Sequence, residues 1–448
     1  MRDNVSKRIL GIPDAFWIGF LIMIGFFLKL IFSIQHPVGS HTLGVGVWTE
    51  LEGGTAHPGI LGVIQYYFTY HFLPDFSPAG NGAYLDPPFF YIFSALFLEV
   101  THRLLGWAVG TCLHCISCLN AVFTMIGAFA CVGILRKMHI RGREVVTSIL
   151  FLMFFPAYYF MGQRLNADAM CFMFTGLAMN SAVGWYQTRR RRTIVMSAVW
   201  LGLGAMCSYA AFAALPAVAA VFIAAAGDGR TEGIGGHFAR FGITAGILGL
   251  WWPLYNLIRF GVAPFSWGAA KELNAIGRGV TAAERLRAVP VTGLFTEQGF
   301  SSQSVNESIF AKTVKSALFS DYISPSSDFV WALSRIMVFL ALFIALLMFV
   351  MWARTLMFGD MPRALKAFTV AGFLGTAAAF IVFCMLKPYA EAADIRFIPC
   401  ILFFPVCGMA YCCSGEKTTR MERITSAAVS RALFVFAAVA AFLCGYYA

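Results

Sequence analysis

The sequence predicts an all-α polytopic membrane protein of about eleven crossings, with one further helix lying in the membrane interface. Three observations carry that expectation. Apolar runs recur at close to the roughly 20 residues that a helix needs to cross a hydrocarbon core. Hydrophobic residues make up 59% of the chain and charged residues 12%, whereas a soluble domain carries about 25% charged residues. The basic residues behind the formal charge of +11 gather in short loops between apolar runs, which is the positive-inside pattern. No basic helix or RNA-binding signature accompanies that charge, so nucleic acid is set aside as a partner and membrane lipids take its place.

Taken in order, the crossings are expected at 15–35, 107–135, 145–161, 169–187, 194–208, 212–226, 241–258, 330–352, 368–386, 395–412 and 433–447. The first follows a basic start (Arg2, Lys7, Arg8) and is too long for a signal-peptide core, so it reads as a retained span. The apolar stretch 87–105 is the exception. If it crossed, the basic blocks 136–143 and 189–192 would fall outside. Laid in the outer interface, it restores both blocks to the cytoplasm, with the N-terminus inside and the C-terminus outside. The chain then divides into a membrane module (1–258, with a first outer loop at 36–86 and the interfacial helix), a long outer loop (259–328) and C-terminal helices (329–448).

Unusual polar residues collect on the outer side of this layout. Ionisable groups at a membrane boundary are costly, which makes them candidates for function. Asp168 opens a span two residues after Asn166, where a carboxylate either caps the helix or carries chemistry. Arg164 lies on the same turn. Arg396, with Lys387, Glu391 and Asp394 just before it, either grips a phosphate through paired hydrogen bonds or pairs locally with Asp394. Glu50, Glu52, Asp75 and Asp86 are the carboxylates of the first outer loop, and Pro87-Pro88 fixes Asp86 at the start of the interfacial helix.

Other features yield less. His36, His41, His57 and His71 match no standard ligand spacing. Cys112, Cys115 and Cys118, with His114 between them, lack a carboxylate or outer partner for a metal and read as packing. Most of the twelve cysteines lie in apolar runs as small hydrophobes. Lys29 and Arg335, within spans, are expected to snorkel or pair. No phosphate-binding glycine loop or dinucleotide fingerprint occurs, so an activated donor would be membrane-embedded. No cofactor is identified, and a divalent metal has no ligand set to support it.

Several segments, in this order, resemble the bacterial GT-C glycosyltransferases related to protein O-mannosyltransferases and the aminoarabinose-lipid A transferase. Gln35-His36-Pro37-Val38-Gly39 resembles a Gln-His-Asp-Val-Gly segment after the first span. His57-Pro58-Gly59-Ile60, Leu73-Pro74-Asp75 and Leu85-Asp86-Pro87-Pro88-Phe89-Phe90-Tyr91 are similar to later pieces of the same outer loop. Asn166-Ala167-Asp168, the run Trp251-Trp252-Pro253-Leu254-Tyr255-Asn256 and Lys387-Pro388-Tyr389 through Asp394-Ile395-Arg396-Phe397 continue the likeness.

The resemblance implies transfer of a sugar from a polyprenyl-phosphate donor to a glycan, lipid or protein acceptor at the outer face. It implies catalytic roles for Asp86, Glu52, Glu50 and Asp168, and a donor phosphate held by Arg164, Arg396 and Lys387. His57, Asn166, Tyr91 and Asp394 then line the substrate pocket. The family's acidic residue after the first span is Pro37 here, and its histidine before Pro-Pro is Asp86. Either a loop carboxylate has taken the acidic role, or the chain is a degenerate relative that binds lipid-linked sugars. A transporter or flippase is a third reading, disfavoured by the scarcity of acids in mid-span.

The layout is testable by topology reporters. Fusions after residue 190 are expected to report a cytoplasmic location, and fusions within 36–86 an external one. The reverse assignment would overturn the layout.

Overall fold

A computed structural model describes residues 8–9, 12–35, 59–78, 82–228, 233–263, 281–287, 289, 291–296, 302–319, 327–386, 390–414 and 420–447. Apart from a two-residue antiparallel pair at Arg8–Ile9 and Ile12–Pro13, the described chain is helical. Helix α1 (Asp14–Gln35) is followed by α2 (Gly59–Tyr70) and α3 (Phe89–Leu98). A π-helical turn, Glu99–Leu104, continues α3. Next come α4 (Val109–Lys137), α5 (Arg143–Phe154), α6 (Pro156–Gln163), α7 (Asp168–Thr188) and α8 (Arg191–Cys207). A 3-10 turn, Tyr209–Ala214, leads into α9 (Leu215–Gly227), and α10 covers Ile234–Phe260. Shorter helices α11 (Ala282–Arg287), α12 (Gln303–Glu307) and α13 (Ile309–Phe319) precede α14 (Asp328–Phe358). The chain closes with α15 (Arg363–Leu386), α16 (Phe403–Ser414) and α17 (Arg420–Tyr447).

Every expected crossing meets helix, yet not all of them would span alone. Among the described residues, seven helices are long and apolar enough to cross a membrane. An eighth arises if α5 and α6, bent by 54° at their junction, are taken as one span. The bend follows from Pro156, which opens α6 and cannot donate to the preceding turn. Helices α8 and α16 have 17 and 12 residues. Helix α7 has 21 residues but falls short in hydropathy, because its first three turns are buried nearly all round and admit Thr175 and Gly176. Protein rather than lipid is its solvent. The segment read as interfacial is a ten-residue helix plus a six-residue π-helical turn, shorter than a span.

The core is built by α7 packing between α4 and α8, with α10 behind α8 and α9 against α15. Helix α14 packs on α16 and α17, and α1 on α4 and α5. The outer faces carry exposed apolar rows: Phe16, Phe20, Met23, Phe27, Ile31 and Ile34 on α1, and Phe339, Phe343, Leu346 and Val350 on α14. Contiguous exposed apolar surface of this kind suits lipid and not water. Between helices, the apolar effect offers little, so close backbone approach matters. A Cβ on Gly408 of α16 would run into the Trp352 ring of α14, and one on Gly372 of α15 into the Phe404 ring. Thr355 donates to the Gly408 carbonyl at 3.0 Å across the same contact.

Charged side chains are buried at several places among the described residues. The Asp14 carboxylate accepts from Gly142 N at 2.8 Å and pairs with Arg136 at 3.0 Å, which ties the start of α1 to the α4–α5 turn. Lys29 does not snorkel. It is 1% exposed, its ammonium lies 5.5 Å above the Tyr159 ring, and it has no hydrogen-bond partner among the described residues. Arg335 lies over Trp331 at 5.2 Å.

Gly408→Val should lower stability by roughly 1–3 kcal/mol through overpacking, read as a drop in thermal unfolding temperature in detergent. An unchanged midpoint would show that α14 and α16 are not in close contact.

Candidate functional site

Three segments converge on one cavity, and each is fixed by hydrogen bonds that its sequence position does not advertise. The first is the turn between α6 and α7. Asn120, fully buried in mid-α4, donates through Nδ2 to the carbonyl of Arg164 and, at 3.2 Å, to that of Asn166. The turn closes with Asn166 N on Arg164 O at 3.0 Å. Asn166 Oδ1 then accepts from Asp168 N at 3.2 Å. The expected capping role therefore belongs to Asn166. Asp168 is the first helical residue, one past Ala167 at the N-cap. Its carboxylate, 8% exposed, is left to face the cavity.

The second segment follows α15. Asp394 is buried and caps the 3-10 turn Ile395–Phe397 through Oδ1, accepting from Arg396 N at 2.9 Å. Its Oδ2 lies 3.6 Å from Arg396 Nε, and Asp168 Oδ2 lies 3.9 Å from the same atom. The guanidinium stacks over Phe397 at 5.0 Å. Of the two expected readings of Arg396, the local pair with Asp394 is present, and Asp168 adds a second carboxylate to it. Electrostatically, Asp168 senses Arg396, Asp394, Arg164 and Asp86. Three carboxylates and two guanidiniums share one site of low dielectric, where such interactions are strong.

Asp86 comes from the third segment. The Leu85 carbonyl before it accepts from Trp252 Nε1 at 3.3 Å and from the Tyr209 hydroxyl at 3.5 Å. Trp252 stacks on Tyr255, whose hydroxyl donates to Pro74 O at 3.1 Å. The tryptophan-rich run of α10 is therefore a clasp for the strand of chain ahead of α3. Pro87 and Pro88 then start α3, and Tyr91 sits one turn on, 4% exposed. Burial first, then the carboxylates of Asp86 and Asp168, push the Tyr91 phenol well above its ordinary value. It remains a hydrogen-bond donor.

The cavity between these segments encloses about 460 Å³. Asp86, Tyr91, Asn166, Asp168 and Arg396 line one part, with Ser208 and Tyr209. Phe212 and Ala213, with Phe380, Val382, Phe383 and Leu386 of α15, line an apolar part. Arg164 and Asp394 lie behind it, around a much smaller void of about 10 Å³ shared with Asn166, Ser316 and Arg396. Of the site expected from sequence, Asp86, Tyr91, Arg164, Asn166, Asp168, Asp394 and Arg396 come together. Glu50, Glu52, His57 and Lys387, like Pro37, lie outside the described residues.

Sequence reading missed Asn120, Ser208, Tyr209 and the α15 phenylalanines. Asn120 offered a signal, an uncharged polar residue in mid-span. Tyr209 offered little, since it falls between two apolar runs. Among the described residues no group of three or more His, Cys, Asp or Glu could hold a metal ion. Cys118 donates weakly to Ser33 at 3.7 Å and Cys112 to Trp107 O at 3.9 Å.

No family model matches the chain, and neither does a curated protein sequence. Solved structures do. The archaeal oligosaccharyltransferase AglB from Archaeoglobus fulgidus, in complex with an inhibitory peptide and a dolichol-phosphate, matches 97% of this chain at 11% identity with a TM-score of 0.51. This chain covers 56% of AglB, little more than half its length. ArnT from Cupriavidus metallidurans in the apo state matches 89% of this chain and 78% of its own at 12% identity, TM-score 0.42. ArnT bound to undecaprenyl phosphate matches 88% and 77% at 13% identity, TM-score 0.41. At such identity the likeness shows the fold alone, a helical bundle shared with AglB.

Asn120→Ala strips the donor from two turn carbonyls and should cost about 1–3 kcal/mol. Asn120→Asp, which only accepts when ionised, should do no better. Thermal unfolding in detergent measures both, and wild-type stability in either variant would show that the turn does not depend on this side chain.

Proposed function

With the fold shared with AglB as premise, we propose that this chain is a membrane glycosyltransferase that moves a sugar from a polyprenyl-phosphate donor to an acceptor at the outer face. One observation carries the reading: Arg396 and Asp168 meet within 3.9 Å at the polar part of a cavity whose other walls are apolar. A lipid phosphate needs both, a cation for its head and a slot for its chain. Of the similar structures, AglB was solved in complex with a dolichol-phosphate.

In this reading Arg396 grips the donor phosphate through its planar donors, with Arg164 behind it. The described charges sum to a net negative site, so Lys387, directly after α15, supplies the balancing cation. Asp168 is the partner that keeps Arg396 aimed into the cavity. Asp86, half-buried and held from behind by the Leu85 clasp, is the general base. It takes the proton from the acceptor hydroxyl as that oxygen attacks the anomeric carbon. The bond from that carbon to the phosphate oxygen breaks, and its electron pair leaves on the phosphate, where the cations stabilise it. Tyr91 donates a hydrogen bond to a sugar or phosphate oxygen, and Asn166 fixes the floor of the pocket.

The same reading puts the protein in the cell membrane with its N-terminus cytoplasmic and its cavity external. It treats 1–258 as the catalytic module, with 259–328 as an outer cover and 329–448 as supporting helices. Pro37 favours a second reading, a relative that binds lipid-linked sugar without turnover.

Purified protein should bind undecaprenyl phosphate, and Arg396→Ala should weaken binding by roughly tenfold or more. Release of undecaprenyl phosphate from lipid-linked sugars of the host membrane should fall about 10²–10⁴-fold in Asp86→Asn, with binding retained. Binding without release in the wild type supports the non-catalytic relative. No binding at all overturns both.

A further inference from the structure

Arg396 and Asp394 lie on a short irregular segment after α15, and irregular chain holds a side chain loosely unless it is itself held. What holds it is remote in sequence. Helix α13, from the stretch between α10 and α14, packs against both 3-10 turns of that segment, Ala390–Ala393 and Ile395–Phe397. Ser316, 2% exposed, accepts from Ile395 N at 3.0 Å. Its own hydroxyl proton goes to Thr313 O at 3.0 Å, so the oxygen is oriented to accept. Thr313 Oγ1 donates to Ile309 O at 2.6 Å and shares that proton with the Ala393 carbonyl at 3.2 Å. The two contacts straddle Asp394 and fix the peptide that leads into Arg396. Ser316 also borders the small void shared with Arg164, Asn166, Asp394 and Arg396.

The stretch that bears α13 is itself fastened. Arg285 of α11, 3% exposed, donates to Cys384 O at the end of α15 at 2.7 Å and to Glu307 O at 3.2 Å. Cys384 Sγ in turn reaches Ala392 O at 3.3 Å. The loop is bound to both ends of the segment whose conformation aims Arg396.

We propose that α13 is the positioning element of Arg396, with Ser316 and Thr313 as its positioning residues. The proposal rests on the reading of Arg396 as a phosphate ligand. Removing the Ser316 hydroxyl frees Ile395 N inside the protein and lets the guanidinium swing from Asp168. The loop then has a part in donor binding although none of these two residues faces the main cavity.

The test uses the full chain in detergent and undecaprenyl phosphate as probe. Ser316→Ala should weaken binding by roughly five- to tenfold, the worth of one buried hydrogen bond, and Thr313→Val should weaken it less. Ser197→Ala, which removes a remote buried hydroxyl bonded to Ala178 O at 2.9 Å, should leave affinity unchanged. Equal losses in Ser316→Ala and Ser197→Ala, or none in either, overturn the proposal. A second measurement needs no lipid. In a double-mutant cycle of unfolding stability, Ser316→Ala and Asp168→Asn should be non-additive, because both act on one guanidinium. Strict additivity overturns the positioning role. If the wild type binds no lipid, the phosphate reading fails, and the cycle alone decides whether α13 aims Arg396.

Discussion

The Asp394–Arg396–Asp168 contact is the constraint around which this molecule is arranged. A guanidinium brought into an apolar bundle must be paired, because its desolvation is otherwise prohibitive. Here the two carboxylates come from chain segments more than two hundred residues apart: Asp394 is satisfied locally, and the Asp168 contact forms only when the bundle closes. Each carboxylate is then held by something else. Asn120 and Asn166 set the turn before Asp168. Asp394 spends its other oxygen on the Arg396 backbone. The cost of burying charge is met by several backbone hydrogen bonds, and the result is a preorganised polar patch in a cavity that is elsewhere apolar.

The membrane explains why the patch is so sharply bounded. Helices in lipid satisfy their own backbone groups and leave side chains to sort by solvent. Helices α1 and α14 turn phenylalanine and leucine outward, whereas α7, enclosed by protein, tolerates asparagine, threonine and glycine. Glycines 372 and 408 let aromatic rings press onto neighbouring backbones where apolar burial alone would give no preference for one partner. Polar chemistry survives only where loops meet at helix ends, and the described site lies at such a meeting.

Much of this was legible in the sequence, and the reasons differ by residue. Asp168, Arg164 and Arg396 stood out because charges at span boundaries are rare and costly. The apolar runs marked the helices, since every expected crossing meets one. Sequence does not show which protein neighbours replace lipid around α7, whose buried turns carry Thr175 and Gly176. Nor could spacing reveal that Asn166 rather than Asp168 takes the free N–H of the helix start. Asn120 and Tyr209 act on carbonyls 46 and 124 positions away, and no local pattern encodes such a partner. Lys29 is the clearest departure: a lysine near a helix end ordinarily reaches for water, yet this one is sealed against Tyr159.

An electron cryomicroscopy map of the chain with undecaprenyl phosphate tests the central claim directly. Phosphate density is expected against Arg396 beside Asp168, with the prenyl chain leaving along Phe380, Phe383 and Leu386. Density at another surface, with Arg396 still locked between its two carboxylates and the cavity empty of lipid, would contradict it.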